Sequence, residues 1–282
     1  MARKGLANIM KLIDSELNNT EPEKAFLLDL KRSIEMTDKK ESRKGSNFYK
    51  PSSLGCIRQM YYIRTEAPAD EESSSYSLIG ICNNGTDTHV RIQTYIAKMR
   101  ENGMDCDYID VADFVKSRDL QDIEIVSKSG METKLFHKKL QLSFLCDGII
   151  RYRGVYYILE LKTEGSSKFF SRQGVDTNHY NQATCYSVAL GLDNVVFVYI
   201  SRDTYDMKSF MLNVTDDMKQ SVVGLITNCE NYVQEHKVPP KPKIPNKKAC
   251  MYCSPVFLLN SRLSHFSAAP IFQRAPLFPK LY

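Results

Sequence analysis

Apolar residues near the start of the chain recur three or four positions apart, at Leu6, Ile9, Met10, Ile13 and Leu17. This spacing predicts one face of an amphipathic helix. A second helix is predicted from Pro22, because proline is favoured in the first turn of a helix. The segment 38–47 is charged and poor in apolar residues, so we expect an exposed loop there.

Five further segments have helical patterns. They cover residues 51–65, about 84–100, about 108–116, about 178–190, and a long stretch that ends near residue 236. A serine-rich segment, residues 71–77, separates the first two and is predicted to be a loop. The helices therefore precede and follow a central region with a different period.

In that central region the pattern changes to alternation with period two, which is typical of strands. The predicted strands are EIVSK, ETKLFHKKL, LSFLCDGIIRY, VYYILELK, VVFVYIS and KSFMLNV. A tight turn at Arg153 and Gly154 joins the third strand to the fourth. Strands interrupted by a helix over residues 178–190 predict an α/β fold with a central mixed β-sheet flanked by helices.

The chain divides into three parts by composition. Residues 1–45 form a predicted N-terminal helical extension, and residues 46–253 hold the α/β core. Within the core, residues 237–248 carry four prolines and five lysines and are predicted to be an extended connector. The last 29 residues, 254–282, contain no acidic residue and show neither period. A docking tail, a foreign sequence and a change of reading frame each fit this segment.

Composition limits the class of protein. The chain has 282 residues, 43% of them hydrophobic, which is enough to bury a core. No run of about 18 uncharged apolar residues is present, which argues against a membrane partner. Asp14 and Glu16 interrupt the segment where a signal peptide would be apolar, so we expect a cytoplasmic protein. The net charge of +5 permits a nucleic-acid partner without requiring one.

Eight cysteines are present, and a cytoplasmic location predicts that they are reduced. Six stand singly and are typical of buried small residues. Cys250 and Cys253 form a C-x-x-C pair, and that spacing lets two thiolates bind one metal ion or cluster.

Three polar residues flank the predicted hairpin near residue 154. The chain reversal brings Asp147 close to Glu160, and Lys162 projects on the same strand face as Glu160. Two neighbouring carboxylates repel unless a cation joins them, and their hard oxygens suit Mg²⁺ or Mn²⁺. A lysine beside them is able to orient water and stabilise phosphate charge. The alternative is an Asp-Gly bend beside a surface cross-strand pair of charges.

The order of motifs resembles the PD-(D/E)XK nuclease superfamily, and within it the RecB-like exonuclease branch that includes the CRISPR-associated RecB-like nucleases. Besides the D…E-x-K set, Gly85 and His89 match that branch's G-x-x-x-H element on a helix before the core. Gln182 and Tyr186 match its Q-x-x-x-Y element on the helix that follows the catalytic strands. The resemblance spans about residues 50–253.

The resemblance implies a restriction-endonuclease-like core and a role for each matched residue. His89, Asp147 and Glu160 would bind the metal ion, and the main-chain carbonyl of Leu161 would complete its shell. Lys162 would be the catalytic base or the group that orients water. Gln182 and Tyr186 would steady Lys162 and the DNA strand.

Many members of this branch also hold a [4Fe–4S] cluster, with one cysteine before the core and three near the C-terminus. Cys56, Cys250 and Cys253 match three of these ligands, and the fourth has no match after Cys253. Three readings stay open. Cys229 or another thiol replaces the missing ligand, the cluster is incomplete, or the cysteines are simply reduced.

These features together predict a Mg²⁺- or Mn²⁺-dependent DNA exonuclease. Because no motif that reads bases is visible, we expect it to act on single-stranded DNA or on DNA ends, in recombination, repair or phage DNA processing. The alternative is a catalytically inactive nuclease fold that binds DNA or docks a protein. A third, weaker hypothesis is an endonuclease subunit of a larger complex.

Overall fold

The computed structural model describes residues 21–41, 47–67 and 75–241. The helix predicted over residues 6–17, the cysteine pair Cys250 and Cys253, and the tail 254–282 lie outside the described residues.

Seven helices and eight strands are assigned within the described ranges. The helices are α1 (Pro22–Glu41), α2 (Ile57–Arg64), α3 (Tyr76–Ala97), α4 (Val111–Ser117), α5 (Ser166–Ser171), α6 (Thr177–Leu190) and α7 (Asp216–Gln234). The strands are β1 (Cys106–Ile109), β2 (Ile123–Ser129), β3 (Glu132–His137), β4 (Leu142–Cys146), β5 (Gly148–Tyr152), β6 (Val155–Glu164), β7 (Asn194–Ser201) and β8 (Met207–Asn213). Among the described residues, no helix combines the length and the apolar character that a membrane crossing requires.

Helix α1 and the first turns of α3, up to Asn84, belong to one compact unit. Their contact includes a hydrogen bond of 2.9 Å from the Tyr76 backbone N–H to Glu35, and Lys31 lies 4.7 Å from the centre of the Tyr76 ring. The helix predicted from Pro22 is confirmed. It runs to Glu41, further than the predicted loop at 38–47 allowed, because charged residues do not break a helix.

The second unit contains the remaining described residues. Its central sheet has the order β1-β5-β6-β7-β8. Strands β6 and β7 are parallel, whereas β1 with β5, β5 with β6, and β7 with β8 are antiparallel. Helices α5 and α6 form the crossover that a parallel pair requires. The predicted α/β class with a central mixed sheet flanked by helices is therefore confirmed.

A separate antiparallel sheet of three strands has the order β2-β3-β4. The sequence predicted one long strand over residues 142–152, and this was wrong. The strand breaks at Asp147, so that β4 belongs to the small sheet and β5 to the central sheet. Asp147 therefore stands at the junction of the two sheets.

Three local predictions need correction, and one helix was missed. The helix predicted from Pro51 is a short 3-10 turn followed by α2, because the intervening Cys56 has extended backbone angles. Helix α3 begins at Tyr76, inside the serine-rich segment that was predicted to be a loop. The helix predicted over 108–116 is β1 followed by α4, whose N-terminus is capped by the side chain of Asp110. The short helix α5 was not predicted.

The hairpin of β5 and β6 is the element that the sequence predicted best. Arg153 and Gly154 both have positive φ, +48° and +82°, as a two-residue hairpin turn with the twist of its strands requires. The register pairs Gly148 with Leu159, which places Asp147 beside Glu160.

Strand β6 is buried on both faces. Leu159 and Leu161 pack into a small cluster with Ile92 of α3, while Ile158 belongs to the larger core cluster. A strand covered on both sides reads as a nearly continuous apolar run. Glu160 interrupts this apolar run, and at 2% exposure its charge requires partners.

Candidate metal centre

Asp147 is held by hydrogen bonds to both its side chain and its main chain. The backbone N–H of Leu161 donates to its Oδ2 over 2.7 Å. Its carbonyl oxygen accepts from Gln93 Nε2 at 2.7 Å and from the Tyr108 hydroxyl at 3.2 Å. The second carboxylate oxygen, Oδ1, is the one that faces His89.

His89 approaches this carboxylate because α3 lies close to β6. A side chain at Gly85, one turn earlier, would place its Cβ 3.1 Å from the hydroxyl of Thr163, so glycine permits the approach. His89 Nδ1 is then 3.5 Å from Asp147 Oδ1. Burial alone would lower the pKa of His89, but the hydrogen bond and the charge of Asp147 outweigh it, and the pKa is raised.

Glu160 has two carboxylate oxygens in different situations. Oε1 accepts hydrogen bonds from Lys162 Nζ and from Gln182 Nε2, the latter at 2.7 Å. Oε2 is buried and has no hydrogen-bond partner in the described part of the chain. Burial and the neighbouring Asp147 raise the pKa of Glu160 to about 7, although Lys162 opposes the shift.

Gln182 connects the lysine to the interior. Its Oε1 accepts from Lys162 Nζ at 3.1 Å, and its Nε2 donates to the Tyr186 hydroxyl at 2.7 Å. Tyr186 is 3% exposed and its ring stacks on Phe144 at 5.1 Å. The buried Tyr186 thus holds Gln182 in place, and Gln182 in turn orients Lys162, whose side chain is 21% exposed.

The residues predicted from sequence are therefore close together in space. Helix α3 brings His89, the junction of β4 and β5 brings Asp147, strand β6 brings Glu160 and Lys162, and α6 brings Gln182. Leu161 contributes the N–H that binds Asp147. Tyr186 lies behind Gln182, buried in the core. Cys56 is half-buried at the N-terminus of α2, and its two predicted partners fall outside the described residues.

Two residues of the site were missed by sequence reasoning. Gln93 stands four positions after His89, so the helical repeat is a signal that places both on one face of α3. Glu132 opens β3, and its Oε1 is 4.0 Å from His89 Nδ1. Ligand atoms of His89, Glu132 and Asp147 all lie within 4.8 Å of one another. No local signal finds Glu132, because its position depends on the pairing of β3 with β4.

The donor set fits a divalent cation. Two atoms that bind one ion at about 2.1 Å lie about 3 to 4 Å apart, which agrees with the 3.5 Å and 4.0 Å measured from His89 Nδ1 to the two carboxylates. Carboxylate oxygens suit Mg²⁺ and Mn²⁺, and an imidazole adds affinity for Mn²⁺. Glu160 is not one of the three residues within 4.8 Å of one another, but its buried Oε2 has no hydrogen-bond partner in the described part of the chain and is an oxygen of the type that such a cation binds.

Several solved structures resemble this chain at low identity. One is the protein SSO0001, at 16% identity and a TM-score of 0.43, covering 82% of this chain and 97% of that chain. Another is an alkaline exonuclease, LHK-Exo, from Laribacter hongkongensis, at 10% identity and a TM-score of 0.42, covering 68% and 90%. LHK-Exo in complex with dAMP gives 11% identity and a TM-score of 0.40, covering 67% and 89%. No family profile and no curated protein matches the sequence.

Proposed function

We propose that this chain is a Mg²⁺- or Mn²⁺-dependent deoxyribonuclease of the PD-(D/E)XK superfamily, in its RecB-like exonuclease branch. One observation carries the proposal. His89 of α3 and Asp147 approach each other to 3.5 Å, the charge of Asp147 acts on Glu160 of β6, and the buried Oε2 of Glu160 has no partner among the described residues. An ordinary cross-strand charge pair would place these groups at the surface, where water satisfies every carboxylate oxygen.

His89, Asp147 and Glu160 would hold the ion, with the carbonyl of Leu161 as a further ligand. The bound cation would supply Lewis-acid stabilisation of the negative charge that develops on the phosphate. Lys162 would donate hydrogen bonds to the attacking water and the phosphate, and its side chain is 21% exposed, so that a substrate has access to it. Gln182 and Tyr186 act by positioning Lys162, since Tyr186 is buried in the core.

The proposed substrate is single-stranded DNA or a DNA end. Phe170 is 55% exposed on α5, just beyond the catalytic strand, and offers a ring on which a base could stack. Arg172, which follows on the same segment, forms an ion pair with Glu164 and is therefore not available to a phosphate. The proposed setting is recombination, repair or phage DNA processing.

A cleavage assay on linear and circular single-stranded DNA tests the proposal. In Mn²⁺, the wild-type chain should degrade the linear substrate, EDTA should stop the reaction, and Lys162→Ala and Asp147→Ala should be inactive while still folded. Undiminished cleavage by either variant would refute the assignment. Cleavage of the circle would establish an endonuclease, and binding without cleavage would establish the inactive nuclease-fold module.

We also propose the iron–sulfur cluster as a structural element that joins the two ends of the core. A hydrogen bond between the two ends supports this proposal. Arg58, in the helix that follows Cys56, donates from Nη1 to the Pro239 carbonyl over 2.7 Å. Pro239 belongs to the segment that precedes Cys250 in the sequence. The thiol of Cys229 donates to the Ile57 carbonyl, and burial raises its pKa to about 11. A protonated thiol makes Cys229 a weak candidate for the fourth ligand.

The absorbance spectrum of anaerobically purified protein tests the cluster. Thiolate-ligated iron–sulfur centres absorb near about 400 nm, whereas free thiols do not. The proposal predicts this band in the wild type and its loss in Cys56→Ala. A wild-type spectrum without the band would contradict it.

A further inference from the structure

Strand β3 brings a third carboxylate to the metal centre. Glu132 Oε1 lies 4.0 Å from His89 Nδ1, and Asp147 Oδ1 lies 3.5 Å from the same nitrogen. Ligand atoms of the three residues all lie within 4.8 Å of one another. Its side chain is 24% exposed, which leaves a route for an ion from solvent. Glu132 belongs to the three-stranded sheet, whereas Glu160 and Lys162 belong to the central sheet.

The position of Glu132 is built into the fold. The Tyr108 hydroxyl is 3.0 Å from the carbonyl of Met131, the residue before Glu132, and 3.2 Å from the carbonyl of Asp147. The same hydroxyl therefore holds the start of β3 against Asp147. The register of the small sheet adds to this, because Thr133 pairs with Cys146.

A glycine makes the Tyr108 contact possible. A Cβ at Gly148 would lie 2.6 Å from the Tyr108 ring, closer than real contacts permit. Any side chain at residue 148 would push Tyr108 away and release the start of β3. Asp147 and Gly148 thus contribute in different ways. Asp147 supplies a carboxylate, and Gly148 leaves room for Tyr108, which positions the start of β3 and with it Glu132.

A second observation comes from Glu160, on the neighbouring strand β6. Glu160 is 2% exposed, and its Oε2 has no partner in the described part of the chain. Asp147 is 7% exposed, and its negative charge acts on the buried Glu160. Two neighbouring buried carboxylates are unfavourable without a cation to offset their charge.

We propose that Glu132 is a ligand of the divalent cation, so that the three-stranded sheet completes the metal centre. The inference rests on the proposed metal-dependent function, and adds to it a ligand that the family resemblance did not imply. Binding of the ion would then join the two sheets through Glu132 on one side and Glu160 on the other.

Binding of Mn²⁺ to the full chain at pH 8 without DNA tests this, measured by calorimetry and by the electron paramagnetic resonance signal of free Mn²⁺. Glu132→Gln should weaken binding by about tenfold or more, since even outer partners of metal ligands contribute that much. Glu124→Gln, the same change on exposed β2 of the same sheet, should bind as the wild type does. Glu132→Asp, which keeps the charge, should bind more tightly than Glu132→Gln.

The outcomes separate the two proposals. Wild-type affinity in Glu132→Gln, with Mn²⁺ bound normally by the wild type and lost in Asp147→Asn, would overturn the role of Glu132 and leave the proposed function standing. No binding by the wild type would overturn both. A thermal unfolding curve of each variant without metal checks folding, and an unfolded Glu132→Gln is replaced by Tyr108→Phe. That variant releases Glu132 indirectly and should also bind Mn²⁺ more weakly, whereas wild-type affinity would count against the inference.

Discussion

Strand β6 carries two buried glutamates with opposite surroundings. Glu164 is 5% exposed and accepts hydrogen bonds from Nε and Nη2 of Arg172. Lys168 Nζ lies 3.0 Å from Glu164 Oε1. Glu160, 2% exposed, has one oxygen bound by Lys162 and Gln182 and the other without a partner among the described residues. The comparison separates a structural ion pair from a site that is incomplete without a ligand.

The pKa values follow the same division. Burial alone would raise the pKa of Glu164, but Arg172 and Lys168 outweigh it, and the pKa is lowered. For Glu160, burial and the charge of Asp147 raise the pKa to about 7. A buried carboxylate with a raised pKa, hydrogen-bonded to a lysine and influenced by the charge of a nearby histidine, is the pattern expected at a catalytic site.

The same substitution at Lys162 and at Arg172, the cationic partners of the two glutamates, should give the largest effects. Lys162→Met should lower the rate of DNA cleavage by about 10²- to 10³-fold, because it removes the group that stabilises developing charge. Arg172→Met should keep cleavage at low temperature but lose about 3 kcal/mol of unfolding free energy, because Glu164 then keeps only Lys168 as a cationic partner. DNA cleavage rates and urea unfolding midpoints of both variants test these two expectations. An equal loss of cleavage activity in both variants would contradict the distinction between a catalytic lysine and a structural arginine.

Neutralising each glutamate should change stability in opposite directions. The raised pKa of Glu160 means that its charged form opposes folding, so stability falls as pH rises from its unfolded value of 4.5 through about 7. Glu160→Gln should therefore stabilise the metal-free protein at pH 8 by about 1 to 2 kcal/mol. The lowered pKa of Glu164 means that its charge favours folding above 4.5. Glu164→Gln should cost about 1 to 2 kcal/mol at the same pH.

Thermal unfolding at pH 5 and pH 8 without metal measures both effects. The gain from Glu160→Gln should shrink at pH 5, where the wild-type carboxyl is already protonated. A destabilised Glu160→Gln at pH 8 would show that the buried charge is satisfied without a metal ion.

Competition between protons and metal gives a smaller effect. Glu160, with Asp147, Lys162 and His89 around it, must lose its proton to bind a cation, and His89 must be neutral. With a pKa of about 7 for Glu160, its protonation alone should make affinity for Mn²⁺ about tenfold weaker at pH 6 than at pH 8, and the raised pKa of His89 should weaken it further. Calorimetric titration at the two pH values measures this, and equal affinities would argue that Glu160 is not a ligand.

The sequence predicted those parts of the fold that local patterns control. The turn residues Arg153 and Gly154 predicted the hairpin, and alternation along β6 predicted that Glu160 and Lys162 lie on the same face of the strand. The break at Asp147 was missed because apolar alternation continues across it from β4 to β5. The contribution of Glu132 was missed because it depends on Tyr108, far along the chain, and on the pairing of β3 with β4. Contacts between two sheets leave no periodic trace in either strand.

A crystal structure of the chain soaked in Mn²⁺ tests the central claim most directly. Anomalous diffraction should show one manganese peak in contact with His89, Asp147 and the free oxygen of Glu160, with Glu132 completing the group. A crystal saturated with Mn²⁺ that shows no peak there, with Glu160 still buried and Oε2 still without a ligand, would contradict the account.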